Sequence, residues 1–281
     1  IIDAVFRGGS KHSNNGETVI KMVEHIVQKI REDYRADVAI LIRMDSGFFD
    51  QENMEIFEGL GIGYVIGGKI YSDIREFVEQ SVPEAWKTII KEEQEWEILP
   101  FGDRRGTWDI FRRVIFTRPL YEDRQKLLPF ARDERIYYTN LGKGEKIDEQ
   151  LKKFGAENLL EDEEIVKIAH GRGADELVHR SIKDFGTEQL PFKRFESNAA
   201  FYYIMVLAFN LYEAFKEDVS AEVITKVCYS TTFRRKIIHI AGKIVRTGRQ
   251  IILKITEAAY NLLKVEQLWK LANNPPVPAI L

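Results

Sequence analysis

Residues Val38 to Ile42 form an unbroken apolar run, Val-Ala-Ile-Leu-Ile, and Asp45 stands just beyond it. A short segment that is apolar at every position belongs in a strand covered on both faces. Such strands are typical of α/β sheets with helices on each side. The flanking segments agree. From Glu17 to Ile30, the residues Val19, Ile20, Met22, Val23, Ile26, Val27 and Ile30 recur at helical spacing. Asp50 opens a second expected helix that reaches about Leu60, where Gly61 and Gly63 end it. Tyr64 to Ile66 reads as the next strand, closed by Gly67 and Gly68, and Ile1 to Phe6 reads as an opening strand. The order strand, helix, strand, helix, strand predicts βαβ units and parallel pairing. Three strands are few for this architecture. The chain opens on Ile1 rather than methionine, so further strands are expected upstream in a longer parent.

The 281 residues suffice for one sizeable domain with an insertion, or for two small ones. Apolar residues at 44% and charged residues at 30% fit a globular chain with a buried core. No apolar run approaches the roughly 18 residues needed to span a bilayer, so a membrane partner is not expected. Cys228 is the single cysteine, which excludes a disulfide framework and a cysteine-rich zinc site and fits a reducing cytoplasm. The net charge of -3 does not advertise a nucleic-acid binder. Local charge says more. Between Val223 and Thr256 there is no acidic residue, while Lys226, Arg234, Arg235, Lys236, Lys243, Arg246, Arg249 and Lys254 are basic. Such a stretch can neutralise phosphates, or can simply be a solvated face.

Beyond residue 81 the character changes. Short apolar runs at Trp96 to Phe101, Val114 to Phe116 and Ile136 to Tyr138 suggest a β-rich insertion over 81–145. The first part of the core then occupies 1–80, and its second part 146–220, with helices expected over Glu161 to Phe185 and Phe195 to Phe215. The segment 221–281 is expected to hold a basic hairpin, Gly242 to Ile255, and a last helix from Thr256 to Asn273.

Two groups of residues can carry chemistry. The first is Arg43-Met44-Asp45-Ser46-Gly47-Phe48. Ligands of parallel α/β sheets sit beyond the carboxyl ends of strands, and a carboxylate there can hold a hydrated divalent metal. Alone, such an aspartate more often caps a turn. The second lies in the Glu161 to Phe185 segment, where Arg172, Glu176, His179 and Lys183 fall on one helix face at about 100° per residue. Alone, such a stripe is more often a ladder of surface ion pairs.

Together they resemble the catalytic half of DDE transposases, in particular bacterial insertion-sequence enzymes with the signature Tyr-x-x-Arg-x-x-x-Glu-x-x-x-x-x-x-Lys. Arg172, Glu176 and Lys183 match it, while the tyrosine position is Ala169, with His170 beside it. Arg43 to Phe48 is similar to the family's second-aspartate motif. His12 to Gly16 and Tyr138 to Leu141 also look like family segments. The resemblance runs from about Ile1 to Trp269 and implies an α/β, ribonuclease H-like core, incomplete at its N-terminus, with a β-rich insertion and a helical C-terminal part.

It further implies metal-dependent DNA cleavage and strand transfer with two Mg²⁺ (or Mn²⁺) ions. Asp45 and Glu176 would be catalytic metal ligands, while Arg172 and Lys183 would contact phosphates. The first acidic residue is expected upstream of Ile1, leaving this chain alone a poor nuclease; the alternative is Asp3. The partner implied is double-stranded DNA, both transposon ends and target, engaged by enzymes that commonly act as dimers. Arg104, Arg105, Arg112, Arg113 and Arg118 around Trp108 are candidate DNA contacts, as are Arg246 and Arg249. Trp108, Trp96 and Trp86 could stack a flipped base, although such residues are more often core. Two alternatives stay open: a catalytically incomplete DNA-binding fragment, and another ribonuclease H-like nuclease.

Overall fold

The computed structural model describes residues 1–8, 18–91, 94–120, 133–171, 173–186, 189–220 and 223–274; the side chains of 173–176 are not among what it describes. The family-like segment at residues 12–16 lies outside. The chain divides into two compact units, Gly9–Gly173 and a second made of Ile1–Gly8 with Ala174–Leu281. Each is described by itself.

The first unit is built on a six-stranded mixed sheet. Helix α1 spans Thr18–Asp33, and strand β1 (Leu41–Met44) follows it. Helix α2 (Gln51–Gly59) is capped by Asp50, whose carboxylate accepts the amide of Glu52 at 2.9 Å. It crosses over to β2 (Gly63–Gly67), which pairs parallel with β1 as the alternation of segments requires. Helix α3 (Ser72–Gln80) comes next, with Ile74 and Val78 one turn apart as its buried stripe. The β-rich stretch supplies β3 (Lys87–Lys91), β4 (Gln94–Asp103), β5 (Arg112–Pro119) and β6 (Arg135–Thr139). The order across the sheet is β1-β2-β6-β5-β4-β3, antiparallel beyond the first pair. The stretch therefore extends the same sheet.

Both faces of the sheet are covered. On one, Tyr64, Ile66, Tyr138, Val114 and Phe116 pack against Val19, Val23 and Val27 of α1 and Met54 and Phe57 of α2. On the other, Val65, Tyr137, Ile115 and Ile98 meet Ile147 and Leu151 of α4 (Lys146–Lys153) and Ile165 and Val166 of α5 (Asp162–His170). Alternate residues of β2 serve the two layers, which is why Val65 and Ile66 are both apolar. Asn140 locks one end of the sheet. Its side chain accepts from the amide of Tyr64 at 3.0 Å and donates to the carbonyl of Ile62 at 3.0 Å. The Tyr138 to Leu141 segment thus ties β6 to the start of β2.

The second unit holds α6 (Gly173–Phe185), α7 (Phe195–Phe215), a short α8 (Ser230–Phe233), the hairpin β7 (Gly242–Thr247) and β8 (Gln250–Ile255), α9 (Glu257–Leu262) and α10 (Val265–Asn273). Several expectations change here. Residues 1–6 are not a strand. Their backbone is held instead by α7: Asn210 bonds the amino group and carbonyl of Ile1, and the Phe6 ring lies tilted against Phe195 with centroids 5.1 Å apart. The single helix expected over 161–185 is two, ending first at Gly171. The last helix is also divided, at Lys264, whose φ of 46° is incompatible with continued helix.

Candidate active site

Asp45 stands one residue beyond the carboxyl end of β1, half-buried. Its Oδ1 accepts the amide of Gly47 at 2.8 Å and so caps the 3-10 turn Ser46–Phe48. The capping role is therefore real, and it fixes the carboxylate's direction at the strand end. Gly67 explains how the turn fits. A β-carbon there would lie 3.1 Å from the amide nitrogen of Ser46, so the backbone after Asp45 can rest on the end of β2 because residue 67 has no side chain. Gly67 serves this close packing and Gly68 makes room for the Tyr138 ring, in keeping with their lack of a phosphate-loop register.

The neighbouring Arg43 links this strand end to α5. Its Nη1 donates to the carbonyl of Ile168 at 2.8 Å, in the last turn of that helix, where unpaired carbonyls gather negative charge. The chain thus leaves α5 pinned to the strand that carries Asp45. His170, the last residue of α5, is wedged against Trp96 at 4.4 Å and Tyr137 at 5.8 Å between ring centroids. Burial, together with the positive charges of Lys91 and Arg135, pushes its pKa down to about 4; Asp133 acts weakly the other way. Nε2 of His170 is buried without a hydrogen-bond partner.

Arg172 lies outside the described residues, and so does the side chain of Glu176, whose backbone belongs to α6. His179 and Lys183 are exposed on the same helix. Lys183 precedes a firm anchor. The carboxylate of Asp184 accepts from the hydroxyls of Ser230 at 2.7 Å and Thr231 at 2.9 Å and from the amide of Thr231 at 2.9 Å. Burial opposes its ionisation, but these bonds outweigh it and hold the carboxyl below the usual carboxylate range. Asp3 is exposed, and its carboxylate accepts the amide of Ala4 at 2.7 Å.

The arginines near Trp108 have diverse surroundings. Arg112 is 1% exposed and its guanidinium meets both carboxylate oxygens of Glu58 at 3.2 Å. Trp108 is buried under it, with the guanidinium 4.8 Å from the ring centroid and Tyr138 edge-on at 5.6 Å. Arg113 bonds the carbonyls of Leu141 and Leu160 and the carboxylate of Asp162 at 2.6 Å. Arg105 bridges Asp103 and Asp73, and Arg118 pairs with Glu97 while lying 4.1 Å from the ring centroid of Trp86. Arg104 is the exposed member of the group, over the ring of exposed Phe111. Charge counting cannot separate these cases. Their position can: a strand covered on both faces, such as β5, must pair any arginine it carries.

An oxygen-rich site is what a hard divalent cation selects. Asp45 fits that requirement as a fixed, partly buried carboxylate at a strand terminus. Among the described residues, no three histidine, cysteine or acidic side chains gather at one point. No helix of the described residues is long and apolar enough to cross a membrane.

A family model described as transposase DDE domain, group 1, matches residues 1–273. No curated protein matches the chain significantly.

Proposed function

The chain belongs to the DDE transposase family, and from that premise we propose that Asp45 and Glu176 are two of the carboxylates with which it cuts and joins DNA. The mixed sheet flanked by helices is consistent with the ribonuclease H-like fold of that family. The observation that carries the reading is the strand-end position of Asp45, coupled with the bond from Arg43 to the carbonyl of Ile168. That bond holds the end of α5 against the strand that presents Asp45.

When bound, two Mg²⁺ or Mn²⁺ ions would lower the cost of charge on the attacking and leaving oxygens of the phosphodiester. The residues of the chain do the rest. Asp45 and Glu176 would hold the ions. Asp45 is kept oriented by the amide of Gly47. Arg172 grips phosphate oxygens through its planar fork, and Lys183 adds a point charge. The partner is double-stranded DNA at transposon ends and target, with a homodimer as the acting form. Exposed Arg104 is a DNA contact of the β-rich stretch.

Supercoiled-plasmid nicking by the full-length protein with Mg²⁺ or Mn²⁺ tests this. Asp45→Asn and Glu176→Gln should each abolish nicking while duplex binding and the far-UV spectrum stay unchanged. Nicking that survives either substitution would overturn the assignment.

A further inference from the structure

The hairpin of β7 and β8 is exposed at nearly every position. In its register Lys243 lies directly opposite Lys254, Val245 opposite Ile252 and Thr247 opposite Gln250. Directly opposed residues share one face of a ribbon, with β-carbons about 5 Å apart. Two ammonium groups are thus held side by side, an arrangement that destabilises a sheet unless something neutralises it. Among the described residues neither lysine has an ion-pair partner. The other face carries Ile244 with Leu253 and Arg246 with Ile251, and Arg249 follows the turn glycine, Gly248, whose φ is 58°.

The face that carries Ile244 and Arg246 is open to solvent. Ile244 is 69% exposed, Ile251 71% and Leu253 64%. A free two-stranded hairpin is marginal in water, and this one adds unscreened like charges. An occupant that relieves the strain must be anionic and extended. A second ribbon from another copy would double the positive charge along the shared edge. Duplex DNA meets both demands: its phosphates recur along each strand, and its major groove, about 12 Å wide, admits a two-stranded ribbon.

We propose that the β7–β8 ribbon docks on the phosphate backbone of duplex DNA, with Lys243 and Lys254 as a cross-strand clamp and Arg249 extending it to the tip. This rests on the reading that the chain acts on DNA, and it adds a docking element separate from the cutting residues. The clamp reads phosphate and not sequence.

The test is fluorescence anisotropy of the full chain with a labelled duplex of arbitrary sequence, across a salt series. Each phosphate contact contributes about 0.9 to the slope of log affinity against log salt. The double substitution Lys243→Gln/Lys254→Gln should reduce the slope by about 2, and Lys243→Arg/Lys254→Arg should restore it. An unchanged slope and affinity would overturn the ribbon proposal but leave the cutting residues standing. Weakened binding with an unchanged slope, or with a lost far-UV spectrum, would make the ribbon structural and overturn it too. Absence of duplex binding by the unsubstituted chain at low salt would sink both readings. Preferential, clamp-dependent binding to anionic phosphatidylserine vesicles instead of the duplex would also reject DNA as the occupant.

Discussion

Arg43 and Ile168 are 125 residues apart in sequence, yet the guanidinium of one donates to the carbonyl of the other at 2.8 Å. The contact joins the strand that presents Asp45 to the helix that ends just before Arg172. It is a charged donor on a helix carboxyl end, an arrangement worth about 1–2 kcal/mol.

Arg43→Gln is therefore expected to cost about 1–2 kcal/mol of stability, since a neutral amide still reaches part of the way. On the proposed reading its effect on nicking should be larger than its effect on duplex binding, because it frees the end of α5 from the strand that presents Asp45. Urea unfolding and plasmid nicking measure the two. Equal losses of binding and nicking would count against a positioning role.

The carboxylates themselves should separate cutting from holding. Asp45→Asn and Glu176→Gln keep size and hydrogen bonding while removing the charge that attracts a cation. Loss of several kcal/mol of transition-state stabilisation corresponds to roughly 10²–10⁴-fold in cleavage rate. Duplex affinity, measured at fixed salt, should change by less than about twofold.

Much of this architecture is legible in the residues. The run before Asp45, the helical stripe of α1 and the hairpin at Gly248 each follow a single strong period or turn signal. The errors share a cause. Residues 1–6 are apolar enough for a strand, but their partner is α7, and pairing is a tertiary fact. The break falls at Gly171, which ends α5 before Gly173 opens α6, so that one expected helix is two. Helix α3 is equally quiet, resting on two buried residues, Ile74 and Val78. At the site, Asp45 is recognisable from its position after an apolar run, although β1 proves to be a half-buried edge strand. The role of Arg43 is not, since it depends on a carbonyl supplied by a helix far along the chain.

The arginines of β5 allow a clean test of structural against DNA-contacting charge. Arg112 and Glu58 are paired beneath the surface, with Tyr64 donating to the same carboxylate at 2.7 Å. Arg112→Met leaves that carboxylate half-desolvated and is expected to cost about 3–5 kcal/mol. Arg104→Ala, at an exposed position, should leave unfolding unchanged within about 0.5 kcal/mol and weaken duplex binding. Urea midpoints and anisotropy, taken together, decide each case. A stable Arg112→Met protein with poor DNA affinity would move Arg112 from the core to the interface.

His170 makes stability depend on pH in a direction that can be worked out. Its folded pKa of about 4 lies below the ordinary value of 6.5 because burial and the nearby Lys91 and Arg135 disfavour the imidazolium. Between those two values the unfolded chain binds a proton that the folded chain does not. Stability from this residue is thus complete above about pH 6.5 and is lost as pH falls towards 4. The loss should be on the order of 2 kcal/mol, allowing for residual solvent contact. His170→Phe keeps a ring against Trp96 and Tyr137 and removes the unpartnered nitrogen. It should match or exceed the natural protein at pH 7.5 and exceed it by about 2 kcal/mol near pH 4.5. Other titrating groups contribute equally to both proteins, so the difference between their urea unfolding energies isolates this one. Parallel pH profiles would mean that His170 takes up its proton without leaving its place between the two rings.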